Sequence, residues 1–397
     1  MNNTIRRYFK GDAVIWAVII LLSIFSLLTV YSATGTLAYR YQGGNTYYYI
    51  IKHASILLIG IIIIYVTHLI PYKFFSRLSQ LFLIISIPLL VFTLFFGRDI
   101  NQAHRFLAIP GFGLTIQPSD LAKLALIMYV ARILSGKQDA IDDYKESFIP
   151  IIGPVLVVCA LILPANLSTA MMVFAVCMIL MFIGRIKLKY LLTFSGIMIG
   201  VVALFILVSL AFNKEGRITT WKNRIESFAS GENEDNYQVN QAKIAVARGG
   251  LIQLRPGKSM QRNFIPHPYS DFIYAIIIEE YGFAGGLVVL ILYLYLLFRA
   301  AILVRKSSRT FPAFVAMGLT LLITMQAMIN MAVAVNLMPV TGQPLPMISM
   351  GGSSMLFTCL AFGVILSVSR GIKEQNKMPA ENSSTEDVNE EEKENNN

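Results

Sequence analysis

Charge is scarce in this sequence: Asp, Glu, Lys and Arg make up 14% of its 397 residues, against about 25% in a soluble globular protein. So little charge cannot cover a water-facing surface. This excludes the two or three soluble domains that length alone would suggest and leaves one all-α polytopic body whose outer surface faces lipid. Cysteine is nearly missing as well. Cys159, Cys177 and Cys359 all lie in apolar runs, and an odd count at no recognisable spacing excludes a disulfide framework and a structural zinc site. The four histidines, His53, His68, His104 and His267, form no metal-ligand pair. No internal repeat is visible, which counts against an inverted-repeat transporter. The net charge of +10 would suggest nucleic acid in a soluble protein; here topology accounts for it, and no nucleic-acid partner is expected.

What the chain has in abundance is apolar sequence, 55% of all residues. A membrane helix needs about 20 mostly apolar residues, and ten stretches approach that: 14–33, 50–70, 78–96, 119–134, 148–164, 167–184, 189–212, 271–298, 311–337 and 352–369. The fifth and sixth touch at Pro164-Ala165-Asn166, where a tight hairpin between two spans fits the lengths better than one long helix. Lys and Arg favour short cytoplasmic loops. With the N-terminus inside, the groups Arg6/Arg7/Lys10, Lys73/Arg77, Arg132/Lys137/Lys145, Arg185/Lys187/Lys189, Arg299/Arg305/Lys306/Arg309 and Arg370/Lys373/Lys377 all fall on the cytoplasmic side. Both termini are thus expected in the cytoplasm. Residues 1–13 form a short N-terminal segment, 14–370 the membrane domain, and 371–397 an acidic, Asn-rich tail too poor in apolar residues to fold.

One outer loop, 213–270, is far longer than the rest, and connections of this size are usually functional. It holds an amphipathic stretch (Arg217, Trp221, Arg224, Ile225, Phe228) and a second helical stretch from Tyr237 to Ala247. Basic and aromatic residues beside a bilayer suit an anionic headgroup, or simply the lipid surface. Gly257-Lys258-Ser259 is not a P-loop, because the motif needs a glycine where Ile252 stands.

Three clusters carry chemistry. In the first, Asp271 follows Ser270, a candidate N-cap, where loop becomes helix; Glu279 and Glu280 lie deeper in the same span, where carboxylates are costly unless paired or facing a cavity. The second comprises Asn101, His104 and Arg105, then Gln117-Pro118-Ser119-Asp120 and Lys123. Pro118 with Ser119 and Asp120 marks a helix start, and Asp120 and Lys123 are spaced as an i,i+3 ion pair; alternatively Arg105 and Lys123 form a cationic pair at the outer mouth of the bundle. The third runs from Leu337 to Ser354 and includes Thr341, Gly342, Ser349, Gly351, Gly352, Ser353 and Ser354. Non-helical backbone at membrane depth is tolerated only inside protein or along a cavity, and its Gly-Gly-Ser-Ser end opens a helix whose N–H groups can hold phosphate.

These residues resemble the SEDS family (shape, elongation, division and sporulation), which includes FtsW, RodA and SpoVE. The likeness covers the whole membrane body and is most specific at Pro339-Val-Thr-Gly-Gln-Pro-Leu-Pro-Met-Ile-Ser-Met-Gly-Gly-Ser-Ser354 and Ser270-Asp-Phe-Ile-Tyr-Ala-Ile-Ile-Ile-Glu-Glu-Tyr-Gly282. The chain departs from the family pattern at Asp120, Phe106 and 165–169, and lacks a glycine-rich run in 251–262. The resemblance, more FtsW-like (septal) than RodA-like (elongation), implies a peptidoglycan glycosyltransferase of the bacterial cytoplasmic membrane. Such an enzyme polymerises lipid II on the outer face, beside a class B penicillin-binding protein and other divisome or elongasome membrane proteins. Asp271 is then the expected catalytic carboxylate. Arg105, Lys123, Arg217, Arg224 and the 341–354 segment are expected to bind substrate, with Glu279, Glu280 and Asp120 in support. Two roles for Asp271 stay open at this point: general base, or ligand of a divalent cation (Mg2+ or Mn2+). A lipid II flippase and a non-catalytic scaffold are the competing functions; a transporter would place its essential charges near mid-membrane, whereas these cluster in the outer half.

Overall fold

The computed structural model describes residues 10–41, 43–100, 103–108, 115–211, 228 and 235–394. Helix α1 spans Ala13–Ala33, capped by Asp12, whose carboxylate accepts from Val14 N at 2.9 Å. Short α2 (Gly35–Tyr41) leads to α3 (Thr46–Leu69) and α4 (Tyr72–Phe96). A small antiparallel meander follows, β1 (Arg98–Ile100), β2 (Ala103–Ala108) and β3 (Thr115–Ile116), with Arg98 opposite Phe106 and Leu107 opposite Ile116. Then come α5 (Pro118–Gly136), α6 (Ile149–Ile162), α7 (Leu167–Ile183), α8 (Leu188–Ala211), α9 (Asp235–Gly249), α10 (Ile273–Lys306), α11 (Thr310–Ala334) and α12 (Gly352–Glu394).

Each of the ten expected spans corresponds to a helix. Among the described residues, seven helices are long and apolar enough to cross a membrane. Of the other three, α7 and the apolar part of α8 are short, and α5 carries Asp120, Lys123 and Arg132. The hairpin between α6 and α7 is tight as expected: Asn166 N bonds Ile162 O at 2.8 Å, and the Asn166 side chain caps α7 at Thr169 N. The architecture is an all-α polytopic membrane protein, with the meander as a small addition on one connection. The backbone of α12 runs on to Glu394, through the stretch from 371. Extending an existing helix needs no new nucleus.

Small residues let the spans approach closely, as in other membrane bundles. A Cβ at Gly363 of α12 would lie 2.6 Å from Thr67 Cβ of α3, and one at Gly60 of α3 2.6 Å from Cys359 Sγ of α12. At one end of the bundle Asp12 is buried against Arg299 (2.8 Å) and takes Ser369 Oγ as acceptor for its N–H (2.6 Å), pinning α1 to α10 and α12. The opposite end, the loop end, carries the meander, the 250–272 connection after α9 and the 335–351 segment.

Candidate functional site at the loop end

The Asp271 segment is built from the backbone outward. Three consecutive carbonyls are each held: Tyr269 O accepts from Met350 N (2.9 Å), Ser270 O from Ser349 Oγ (2.6 Å) and Asp271 O from Asn330 Nδ2 (2.9 Å). Half-buried Asp271 thus sits on a clamped strip of chain, while Ser270 Oγ donates to its Oδ1 at 2.9 Å. The N-cap expectation for Ser270 needs correction: α10 starts at Ile273, its cap position is Phe272, and no side chain caps it. The Ser270 hydroxyl is committed to its neighbour's carboxylate.

The clamping partners come from the third cluster and from α11. Between Asn336 and Gly352 the chain turns back into the bundle, helped by left-handed backbone at Asn336, Gly342 and Met347. Leu345 to Ser349 are buried, as non-helical backbone in a membrane body must be. Ser349 Oγ also accepts from Leu345 N (2.8 Å), Tyr293 donates to Pro346 O, and Ser26 Oγ donates to Ile348 O at 3.0 Å. Asn330 bridges Asp271 O to Gln343 O (2.7 Å), Gln326 Nε2 donates to Pro344 O (2.9 Å), and Gln343 donates to Thr169 of α7. Helix α12 opens at Gly352 as expected, and Ser353 Oγ accepts from Gln117 N at 3.2 Å. Gly351 and Ser354 are half-buried and Gly352 is exposed, while the buried Thr341 Oγ1 makes no hydrogen bond among the described residues.

The second cluster joins the same network. Helix α5 starts at Pro118 as its sequence indicates. Lys123 Nζ lies 2.8 Å from Asp120 Oδ1 and donates to Gln326 Oε1 at 3.0 Å, with both ionic groups buried. The i,i+3 pair is therefore the observed arrangement, and it couples to the loop through Gln326; Asp120 Oδ2 makes no hydrogen bond among the described residues. Arg105 has its backbone in β2, but its side chain, like all of Arg217 and Arg224, lies outside the described residues.

Glu279 and Glu280 are buried beneath the segment that follows α9. Glu279 accepts from Ser259 Oγ, Met260 N (3.1 Å) and Gln261 N (3.3 Å), and Glu280 from Ser32 Oγ and Ser259 N (3.1 Å). Arg262 Nη1 reaches Ser32 O at 3.0 Å. Below this latch α10 breaks at Gly282, whose φ of 74° and ψ of −179° suit glycine alone. The chain of 250–255 enters the break. Phe283 N donates to Gly250 O (2.9 Å), Ala284 N to Leu251 O (3.1 Å), and Arg255 N to Glu280 O (2.9 Å), so each helix end is satisfied by the loop. Ser259, whose surroundings superficially suggest a phosphate loop, serves the glutamates instead. Helix α9 covers the expected 237–247 stretch and packs Ala242 and Ala245 into the core.

Sequence reasoning missed Gln326, Asn330, Gln343, Ser32 and Ser259. Gln326 and Asn330 stand one turn apart in an otherwise apolar span, and amides so placed bond across helices; that was the available signal. Among the described residues no group of three or more His, Cys, Asp or Glu side chains comes together.

The chain matches the family model described as "Cell cycle protein" (FtsW, RodA, SpoVE) over residues 12–374. It is 32% identical to a probable peptidoglycan glycosyltransferase FtsW of Trichlorobacter lovleyi over 92% of this chain and 95% of that protein. It is 33% identical to stage V sporulation protein E of Bacillus subtilis, over 90% of this chain and 97% of the relative. The same fold occurs in the rod shape determining protein RodA of Thermus thermophilus (TM-score 0.66, 23% identity, 92% of this chain and 98% of that one). It occurs again in a peptidoglycan synthase complex described for its structural coordination of polymerization and crosslinking (TM-score 0.68, 24% identity, 91% and 98%). By sequence along nearly its full length, and by fold, the chain belongs to the FtsW/RodA/SpoVE family of SEDS proteins.

Proposed function

We propose that this chain is a peptidoglycan glycosyltransferase that polymerises lipid II at the outer face of the bacterial cytoplasmic membrane, in the FtsW-like, septal branch of the family. The observation that carries this reading is the clamped Asp271 segment. A half-buried carboxylate stands at the loop end on three held carbonyls, and the loop packed beneath it is tied inward through Gln343, Pro344, Leu345, Pro346, Ile348 and Ser349. In the reaction an acceptor sugar hydroxyl attacks the donor's anomeric carbon. The new C–O bond forms as the bond to the diphosphate breaks, the electron pair leaves with undecaprenyl diphosphate, and the hydroxyl proton passes to Asp271 as general base. A glycosidase needs two carboxylates; a diphosphate leaving group needs none, only positive charge and oriented N–H groups.

Arg105, Arg217 and Arg224 are the cations we assign to that diphosphate, with the N–H groups of the Gly351–Ser354 helix start and the unsatisfied Thr341 hydroxyl as further donors. Lys123, in its buried pair with Asp120, contributes by bracing the Pro344 carbonyl through Gln326. Both termini are cytoplasmic in this reading, and a class B penicillin-binding protein supplies crosslinking. The test is purified full-length protein with fluorescent lipid II, with and without such a partner. Glycan strands that are lost in Asp271→Asn support the proposal. Lipid II movement across liposomes with no polymer under any condition would replace it with a flippase.

A further inference from the structure

At the end of the bundle opposite Asp271, the start of α4, the end of α5 and the start of α11 enclose an open cavity of about 460 Å³, lined by Lys73, Ser76, Ser135, Arg309 and Thr310 among others. It shares Ser76, Ser135 and Phe311 with a second cavity of about 310 Å³, to which Arg132 and Lys137 contribute. Four cations and several hydroxyls thus face one space. Lys137 lies 3.5 Å from Glu146, but among the described residues no carboxylate lies within ion-pair distance of Lys73, Arg132 or Arg309. Arg132 Nη1 is steadied by Ser76 O at 2.6 Å, and Ser135 Oγ and Thr310 Oγ1 are 2.5 Å apart.

A separate apolar groove of about 550 Å³ lies between α4, α5 and α6, walled by Leu83, Ile84, Ile87 and Val157. Two helices set it one turn from the basic mouth. On α4, Gln80 of the groove follows Ser76 of the mouth by one turn; on α5, Tyr129 of the groove precedes Arg132 of the mouth by one turn. Gly153 of α6 lines the groove with nothing within 4 Å of where a Cβ would stand. The general bias of Lys and Arg toward one side of a membrane accounts for the cations. It does not account for cations gathered over an apolar groove, a pairing that matches an amphiphile with an anionic head.

We propose that this mouth and groove bind one anionic phospholipid of the leaflet at that end, the phosphate held by Lys73, Arg132, Lys137 and Arg309 and an acyl chain lying in the groove. The site is separate from the Asp271 site and does not depend on the function assigned there. Full-length protein would be equilibrated with equal amounts of phosphatidylglycerol and phosphatidylcholine, and retained lipid counted by native mass spectrometry. Wild type should retain phosphatidylglycerol preferentially. A cation near a membrane surface contributes about fivefold in affinity for anionic lipid, so Lys73→Gln with Arg309→Gln, both exposed positions, should cut that preference roughly thirtyfold. Gly153→Leu, whose Cβ would meet nothing within 4 Å, puts an apolar side chain in the groove and should reduce retention of either lipid. No preference in the wild type, or a preference untouched by both changes, overturns the proposal. Phosphatidylglycerol displaced by inorganic phosphate, with Gly153→Leu behaving as wild type, would give the mouth to a soluble anion and overturn the lipid assignment.

Discussion

Asp271 and the pair Glu279–Glu280 flank the same short first segment of α10, yet their surroundings differ in kind. The two glutamates are buried, and donors from Ser32, Ser259, Met260 and Gln261 converge on their oxygens. At Asp271 the fold instead grips the backbone, through Asn330, Ser349 and Met350, and leaves the side chain half-buried at the loop end. Both oxygens of Glu279 and Oε1 of Glu280 are taken by the protein's own N–H and O–H groups, while Glu280 Oε2 is buried without a hydrogen bond among the described residues. At Asp271 the main chain is fixed and Oδ1 accepts from Ser270 Oγ, the arrangement on which the proposed catalytic role rests. The contrast sorts three acidic residues that look equally suspicious as sequence.

That sorting can be broken by stability measurements on full-length protein in one detergent at one scan rate. The largest loss is expected for Glu279→Ala, which strands the Ser259 hydroxyl and the Met260 and Gln261 amides; about 3–5 kcal/mol follows from several unsatisfied donors. Gly282→Ala should cost about 2–3 kcal/mol, since its backbone is open to glycine alone and a Cβ would stand 2.8 Å from Gln253 N. Asn330→Ala frees two carbonyls, those of Asp271 and Gln343, for about 1–2 kcal/mol. It should also lower synthesis beyond what the loss of folded protein explains, because the Asp271 segment loses its clamp. Asp271→Asn is expected at the bottom, under about 1 kcal/mol, the scale of a helix-start carboxylate. An apparent Tm order with Asp271→Asn below Glu279→Ala would dissolve the distinction.

Much of this fold was legible in the chain. Ten apolar stretches, the hairpin at Pro164-Ala165-Asn166, the helix starts at Pro118 and Gly352 and the re-entrant run before it all follow from hydrophobic length and from glycine and proline placement. The i,i+3 spacing of Asp120 and Lys123 offered both a structural and a functional reading, and the structure realises the pair. What could not be read was pairing at long range. That Glu279 needs Ser259, or that Asn330 needs Asp271 O, depends on which loop returns to which helix, and no local spacing encodes it. The break at Gly282 was hidden for the same reason: its partner, the 250–255 backbone, lies outside any helical period.

The most direct test sets Asp271→Asn beside Glu279→Gln and measures glycan synthesis from lipid II per amount of folded protein, with apparent Tm recorded on the same samples. Loss of a general base is expected to lower synthesis by about 10²–10⁴-fold in Asp271→Asn while its Tm stays close to wild type. Glu279→Gln should instead lower Tm and retain synthesis in the fraction that remains folded. Full synthesis by folded Asp271→Asn, with loss of synthesis in folded Glu279→Gln, would contradict the account.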